Sequence, residues 1–447
     1  MFSLQITDNH DWKAIKDCFQ KPSQDADIGI INSDLEKISN VKIGKKLDEY
    51  PNLLVFPRDL HRYGDEISES CIISLRNEEI STGNIMGFVG VNDTLIDIIS
   101  RFAKTNDKDF FLHYMLQKVF CINLFDIKHT TNQEPVFDFL LYLFPHFLKK
   151  AFAQGLFKKY RKYKYNDANV KGPIDVNRHI RENIPFKGTV AYSTREHSYD
   201  NEVTQLIRHT IEYIKTKEFG LSILNNDLDT KSCVTQITMA TQTYNLRERP
   251  QIISKNLRPI QHPYYSAYTD LQIICLQILR HQSIKYGLEK DKVYGVLFDG
   301  AWLWEEYLST ILKSNGFKHP ENKKQKGGFR MFEKVADDDY FSNNSRRLYP
   351  DFYKDDFIID AKYKHLDKGV GREDLYQVVT YMYCKKANNG AYIYPNEEPI
   401  ELDKYQLSGY GGSIKVIAFH VPQTSKEFQV FVKEIETSEK SLRENTL

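Results

Sequence analysis

Hydrophobic and polar positions change rhythm along the 447 residues. Up to about residue 105, short apolar or alternating runs are punctuated by Gly and Asn. Ser70 to Leu75, Gly83 to Val91 and Thr94 to Ile99 read as strands, with Asn92-Asp93 as the hairpin turn between the last two. From Asp109 the period lengthens: Phe110, Phe111, Leu112, Tyr114, Met115, Val119 and Phe120 form a helical stripe. Val136 to Tyr160 predicts one or two long helices, broken or kinked around Pro145. Lys171 to Asn201 follows no clean period and reads as a loop-bearing connector. Its Arg181-Glu182 and Arg195-Glu196 can pair between domains or with a partner. Ser198 to Lys217 then predicts a helix that buries Leu206, Ile207, Ile211 and Ile214, and Tyr265 to Tyr286 predicts another. A strand at Val293 to Phe298 opens the C-terminal region, and a helix begins at Gly300 and runs through Leu312. Further strands are predicted at Gly390 to Tyr394 and Ile414 to Phe419, and the last dozen polar residues predict a frayed helix end. The chain therefore reads as multidomain α+β. A β-rich N-terminal domain with a helical extension spans 1–165, a mostly helical connector 166–288 and a C-terminal α/β domain 289–447.

The candidate chemistry lies in Tyr349-Pro350-Asp351 and the following run to Asp360-Ala361-Lys362. Phe357-Ile358-Ile359 reads as a buried strand, and side chains alternate along a strand, so Asp360 and Lys362 point the same way. Asp351 precedes Asp360 by nine residues, enough for a strand and a tight turn whose tip is Lys354-Asp355-Asp356. Two carboxylates converging at the end of a strand pair can hold Mg²⁺, which takes oxygen ligands and keeps several waters. An ammonium beside them can orient a water or offset charge on a phosphate. This is what metal-dependent phosphodiester hydrolysis requires. Taken alone, Asp-x-Lys also describes a solvated strand end and Pro-Asp a turn. Downstream, Asp374 to Tyr381 reads as a helix, with Gln377 and Tyr381 on one face.

Composition narrows the picture only slightly. A formal net charge of +1 argues neither for nor against nucleic acid. The basic residues cluster in Lys158-Lys159-Tyr160-Arg161-Lys162-Tyr163-Lys164-Tyr165 and in Lys323-Lys324-Gln325-Lys326. The first run suits contact with phosphates and bases, and equally the solvated end of a long helix whose tyrosines pack on a neighbour. The second lies in a Gly-containing loop that could clamp DNA. Six cysteines without a Cys-x-x-Cys pair fit a reduced, cytoplasmic protein with no disulfide framework or zinc site. The most apolar stretch, Phe137 to Leu148, is too short to span a membrane. No Gly-x-x-x-x-Gly-Lys-[Ser/Thr] is present, so the chain is not expected to hydrolyse a nucleotide itself. No zinc-finger spacing or helix-turn-helix stands out as a DNA reader.

The order of these features carries a resemblance. Residues 290–385 resemble the PD-(D/E)xK nuclease fold with the RecB-like Gln-x-x-x-Tyr addition. Three further stretches, Ser81 to Gly90 followed by Ile98 to Phe102, Lys171 to Gly188, and Tyr192 to Asn201, resemble the McrC family. McrC-like chains are nuclease subunits of McrBC-type, including LlaJI-like, 5-methylcytosine-specific restriction systems. The resemblance implies that Asp351 and Asp360 ligate Mg²⁺ with the Ala361 backbone carbonyl, and that Lys362 acts on the attacking water. It implies that Glu305, with Glu306 as the alternative, completes the metal site or the layer of groups around it, and that Gln377 and Tyr381 position the strand to be cut. It also implies an McrB-like AAA+ GTPase hexamer as partner, bound through residues 1 to about 200 and stimulated by this chain. GTP would be bound by that partner and not by this chain, and the substrate would be double-stranded, methylated DNA. Two rivals remain at this stage: an autonomous RecB-like repair nuclease, and a non-catalytic adaptor that activates a GTPase.

Overall fold

The computed structural model describes residues 2–19, 28–39, 41, 53–57, 71–92, 94–103, 109–120, 135–217, 220–225, 227–285, 293–320, 326–332, 346–366, 369–400, 403–409, 411–425 and 427–446. The N-terminal elements are β1 (Phe2–Thr7), β2 (Lys13–Ala14), α1 (Ile28–Ser39), β3 (Leu53–Phe56), β4 (Ile73–Arg76), β5 (Glu79–Thr82), β6 (Ile85–Val91), β7 (Thr94–Ile99) and α2 (Phe110–Phe120). The middle holds α3 (Pro135–Phe152), β8 (Lys159–Asp167), α4 (Val176–Asn183), β9 (Val190–Ser198), α5 (Glu202–Lys215), α6 (Gly220–Leu224), α7 (Leu228–Ala240), α8 (Arg249–Lys255) and α9 (Ala267–Lys285). Then come β10 (Tyr294–Asp299), α10 (Gly300–Leu312), β11 (Phe329–Arg330), β12 (Arg347–Leu348), β13 (Phe352–Lys354) and β14 (Phe357–Ala361). The chain closes with α11 (Arg372–Lys385), β15 (Asn389–Asn396), β16 (Asp403–Gln406), β17 (Ser413–His420) and α12 (Phe428–Asn445).

Two compact units result: Met1–Phe125 joined with Gly287–Leu447, and Asp126–Tyr286. The first unit holds two five-stranded sheets, ordered β1-β7-β6-β10-β3 and β13-β14-β15-β17-β16. In the first sheet β10 runs antiparallel to β6 and parallel to β3, and every residue of β10 is buried. Full burial on both faces is what a central strand with a continuous apolar run is built for. The β6–β10 pair is unusually close. Gly87 has φ +124°, and a Cβ there would meet the Val296 carbonyl oxygen at 2.2 Å. Gly295 faces the same pair from the other side, with its would-be Cβ 2.3 Å from the Phe88 carbonyl oxygen.

Buried polar contacts tie this sheet to the second one. Tyr363, just beyond β14, is buried, and its hydroxyl pairs with Ser100 Oγ at 2.8 Å. Its ring lies under the Arg101 guanidinium, 4.9 Å away, and Arg101 Nε donates to Asp8 Oδ2 at 2.9 Å. The Arg101 backbone N–H donates to the other Asp8 oxygen at 2.6 Å. At the far end, Glu439 of α12 accepts hydrogen bonds from Tyr114 on α2 at 2.9 Å and Tyr307 on α10 at 3.0 Å. Leu442 and Thr446 are buried as well, so the terminal segment is a packed helix and not the frayed end its polar composition suggested. A polar surface stripe says nothing about the buried stripe beside it.

In the second unit, α9 packs on α3 and α5, and β8 pairs with β9 as an antiparallel hairpin. Pro145 sits inside α3, and the helix ends at Phe152. The basic run is therefore strand β8 and not a helix end. Tyr160 stacks on His197 at 3.9 Å, and Tyr165 on Tyr192 at 5.5 Å. The connector Lys171 to Asn201 contains helix α4 and strand β9, and Asn201 caps α5 with a capping box.

The division into units differs from the three consecutive segments read from the sequence. The strand expected to open a C-terminal domain at 289 lies inside the N-terminal sheet, between β6 and β3, as β10. The second unit begins and ends elsewhere than at 166 and 288. Among the described residues, the cysteines are free thiols and no helix is long and apolar enough to cross a membrane. Of the Lys323–Lys326 run, only Lys326 falls within the described residues.

Candidate active site

The β13–β14 hairpin turns at Asp355-Asp356, as its sequence implied. Asp356 is a brace: its carboxylate accepts from Asn388 N–H at 2.7 Å and from Asn389 Nδ2 at 2.9 Å. The register pairs Phe352 with Ile359, which sets Asp351 beside Asp360 at the open end of the hairpin. There the Ala361 N–H donates to Asp351 Oδ2 at 2.7 Å. β14 is buried along its whole length and runs parallel to β15, and Lys362 N–H continues that ladder to the Ile393 carbonyl at 2.9 Å.

Asp360 is 2 % exposed. Burial, and then the charge of Asp351, push its carboxyl up to about 7. Burial likewise raises Asp351, against the Ala361 N–H and the Lys362 charge that favour its ionised form. Two buried carboxylates side by side repel one another, and a cation must offset them. Lys362 Nζ provides part of this, 2.8 Å from Asp360 Oδ2, though no hydrogen bond is aligned on that oxygen. Burial opposes the Lys362 charge, but Asp360, Asp374 and Asp351 outweigh it, so the ammonium titrates above its usual range.

Helix α11 covers this end of the sheet. Gln377 Nε2 donates to the Tyr381 hydroxyl at 2.8 Å, and Tyr381 is buried close enough to feel the charges of Asp351, Asp360 and Lys362. The structure thus brings together Asp351, Asp360, Ala361, Lys362, Gln377 and Tyr381. Glu305 lies on α10. Among the described residues, no three His, Cys, Asp or Glu side chains cluster closely enough to hold an ion. A helix presents neighbouring residues in different directions, and spacing alone does not fix which one faces the sheet. Glu306 reaches the periphery instead, 3.9 Å from His319 Nε2. His319 Nδ1 lies 2.6 Å from the Asp351 carbonyl oxygen, an acceptor only, so it is the protonated nitrogen on that side. Its ring stacks on Phe352 at 4.7 Å.

Sequence reasoning missed two side chains here. His319 lies far back in the chain, and no local pattern marks it. Asp374 was legible in principle. It precedes Gln377 by three residues on α11 and so shares its face. Its Oδ1 is 3.0 Å from Lys362 Nζ and its Oδ2 2.7 Å from Lys364 Nζ. Despite partial burial, these two lysines hold it below the usual carboxylate range.

A family model described as "McrBC 5-methylcytosine restriction system component" matches residues 80–395, most of the chain and all of the site described above. The chain belongs to this McrBC family. The match includes β6, β7, Arg101 and the β13–β14 hairpin, so the N-terminal motifs and the acidic site fall within one family pattern. Among solved structures, a half-complex of the tetradecameric assembly of Thermococcus gammatolerans McrB AAA+ hexamers with bound McrC contains a similar chain. It is 14 % identical with a TM-score of 0.52, over 98 % of this chain and 100 % of that one. At that identity the likeness concerns the fold alone, a mixed α/β architecture over the whole length. A chain of the Thermococcus gammatolerans McrBC complex matches 72 % of this chain and 90 % of its own length, at 16 % identity and a TM-score of 0.37. No curated protein matches.

Proposed function

We propose that this chain is the DNA-cutting subunit of a GTP-dependent, modification-dependent restriction complex, with a PD-(D/E)xK nuclease site in its C-terminal part. The observation that supports this most is the juxtaposition of Asp351, Asp360 and Lys362 at the end of β14, in a chain of the McrBC family. The donor set fits Mg²⁺. Asp360 Oδ2 is buried with no aligned hydrogen-bond donor, Asp351 beside it is buried too, and both are hard oxygen ligands. Asp351 and Asp360 would hold the ion, with the Ala361 carbonyl and waters completing its shell. When bound, Mg²⁺ supplies Lewis-acid polarisation of the phosphate and lowers the pKa of a coordinated water. Lys362 holds a positive charge on the same face as Asp360 and offsets charge developing on the phosphorus oxygens. Gln377 and Tyr381 line the approach and fix the DNA backbone by hydrogen bonds. The wall formed by β14 and α11 keeps the lysine and the carboxylates in fixed register, so little reorganisation is needed as charge develops.

The partner in this reading is an McrB-like AAA+ GTPase, the protein assembled with McrC in the similar solved structure. The chain carries no P-loop of its own. Its second unit leaves Val176, Ile180, Ile184 and Phe186 more than half exposed, the first three spaced four apart, which suits a protein contact. GTPase turnover of the purified McrB-like partner, measured with and without this chain, tests the pairing. We expect a rise of about tenfold or more on adding the chain, below the roughly 10³- to 10⁵-fold that a charge supplied in trans can give a GTPase. An unchanged rate together with failure to co-elute contradicts it.

A further inference from the structure

Lys362 has two carboxylates within ion-pairing distance. Asp360 Oδ2 lies 2.8 Å from its ammonium and Asp374 Oδ1 3.0 Å. Asp360 is a ligand in the metal reading above, so an ammonium resting on its Oδ2 competes with any cation for that oxygen. Asp374 offers the ammonium another place. It is held there from both sides: Lys364 Nζ takes its second oxygen at 2.7 Å, and the Tyr392 hydroxyl donates to its backbone carbonyl at 2.7 Å. The first of these neutralises the excess charge of Asp374, and the second ties the first turn of α11 to β15. Asp374 also lies in that first turn, where the helix N-terminus favours a carboxylate.

We infer that Asp374 is a positioning residue that draws the Lys362 ammonium off Asp360, leaving Asp360 Oδ2 available to a divalent cation while keeping the lysine beside it. This rests on the reading of Asp351 and Asp360 as the metal-holding pair. In the apo protein Lys362 bridges the two acids. On metal binding it shifts its weight to Asp374 and remains charged on the substrate side. Without the Asp374 charge, Lys362 has Asp360 as its near anionic partner and resists the cation.

The test is Mn²⁺ binding to the full-length chain, by calorimetry or by the loss of the free-ion electron paramagnetic resonance signal. It needs no DNA, GTP or catalysis. Four proteins are compared with wild type: Asp360→Ala, Asp374→Asn, Lys362→Ala and the double variant Lys362→Ala/Asp374→Asn. We expect Asp374→Asn to weaken Mn²⁺ binding about tenfold, the effect of restoring one competing cation at ion-pair distance. Lys362→Ala should bind Mn²⁺ at least as tightly as wild type, and adding Asp374→Asn to it should change affinity less than about twofold, because the competitor is gone. Equal weakening in both backgrounds would mean that Asp374 merely shapes the site, and overturns the inference. So does weaker binding by Lys362→Ala. Mn²⁺ binding that survives Asp360→Ala overturns the metal reading itself and the inference with it.

Discussion

Asp360→Ala is expected to abolish DNA cleavage by the assembled complex, lowering the rate by about 10³-fold or more, the usual consequence of losing a metal ligand from a hydrolytic site. The reasoning is local. Asp360 is buried near the end of strand β14, with Asp351 placed against it by the hairpin register and Lys362 on the same face. Among the described residues no group of three His, Cys, Asp or Glu side chains is placed to hold an ion, so the site leans on the Asp351–Asp360 pair. The fold should survive. Burial and the neighbouring Asp351 hold the Asp360 carboxyl up near 7, which means that its ionised form is disfavoured in the native state. Removing it relieves repulsion, and the melting temperature at pH 8 should stay level or rise. Asp355→Ala, in the exposed hairpin turn, is the matched control and should keep the rate within about twofold. Full cleavage by Asp360→Ala would sink the site assignment. A collapsed fold would instead assign Asp360 a structural role.

Gly87→Ala is expected to be the most damaging small substitution in the first unit, costing about 3 kcal/mol or more. Two costs combine. The backbone at Gly87 has φ +124°, where a side chain is strained, and the new Cβ would lie 2.2 Å from the Val296 carbonyl oxygen. That oxygen belongs to β10, an interior strand of the sheet, and cannot give way without opening the β6–β10 pair. Hydrogen exchange of the β10 amides should accelerate sharply, with the second unit unaffected. Gly83→Ala is the comparison, since its added Cβ would meet nothing within 4 Å. Equal protection of β10 in the two variants would refute the close-approach argument.

Much of the local structure was readable before the fold was known. Thr94 to Ile99 alternates buried and half-buried residues in the structure, as its sequence pattern required. Leu206, Ile207, Ile211 and Ile214 are all buried on α5. What escaped was non-local or ambiguous in period. An apolar run such as Tyr294 to Phe298 announces a buried strand but not the sheet that receives it, and β10 pairs with strands some two hundred residues earlier. The basic run at Lys158 to Tyr165 reads equally as a helix end because the helical pattern before it runs on. Its Tyr163 and Tyr165, two apart and both half-buried, were the strand signal. At the site, the acids and the lysine were legible because strand alternation fixes their direction. For Glu305 and Glu306 the helical spacing left the choice open, because neighbouring residues on a helix point in different directions.

In the proposed function this chain cuts DNA only as part of a GTP-driven, modification-dependent complex. That dependence is tested most directly by plasmid cleavage in Mg²⁺, on methylated and unmodified DNA. The chain is assayed alone and together with the McrB-like AAA+ protein of the same genome and GTP. Cleavage of the methylated plasmid in the complete mixture alone is the expected result. Cleavage by the isolated chain, without partner or nucleotide, would contradict it and would mark an autonomous nuclease.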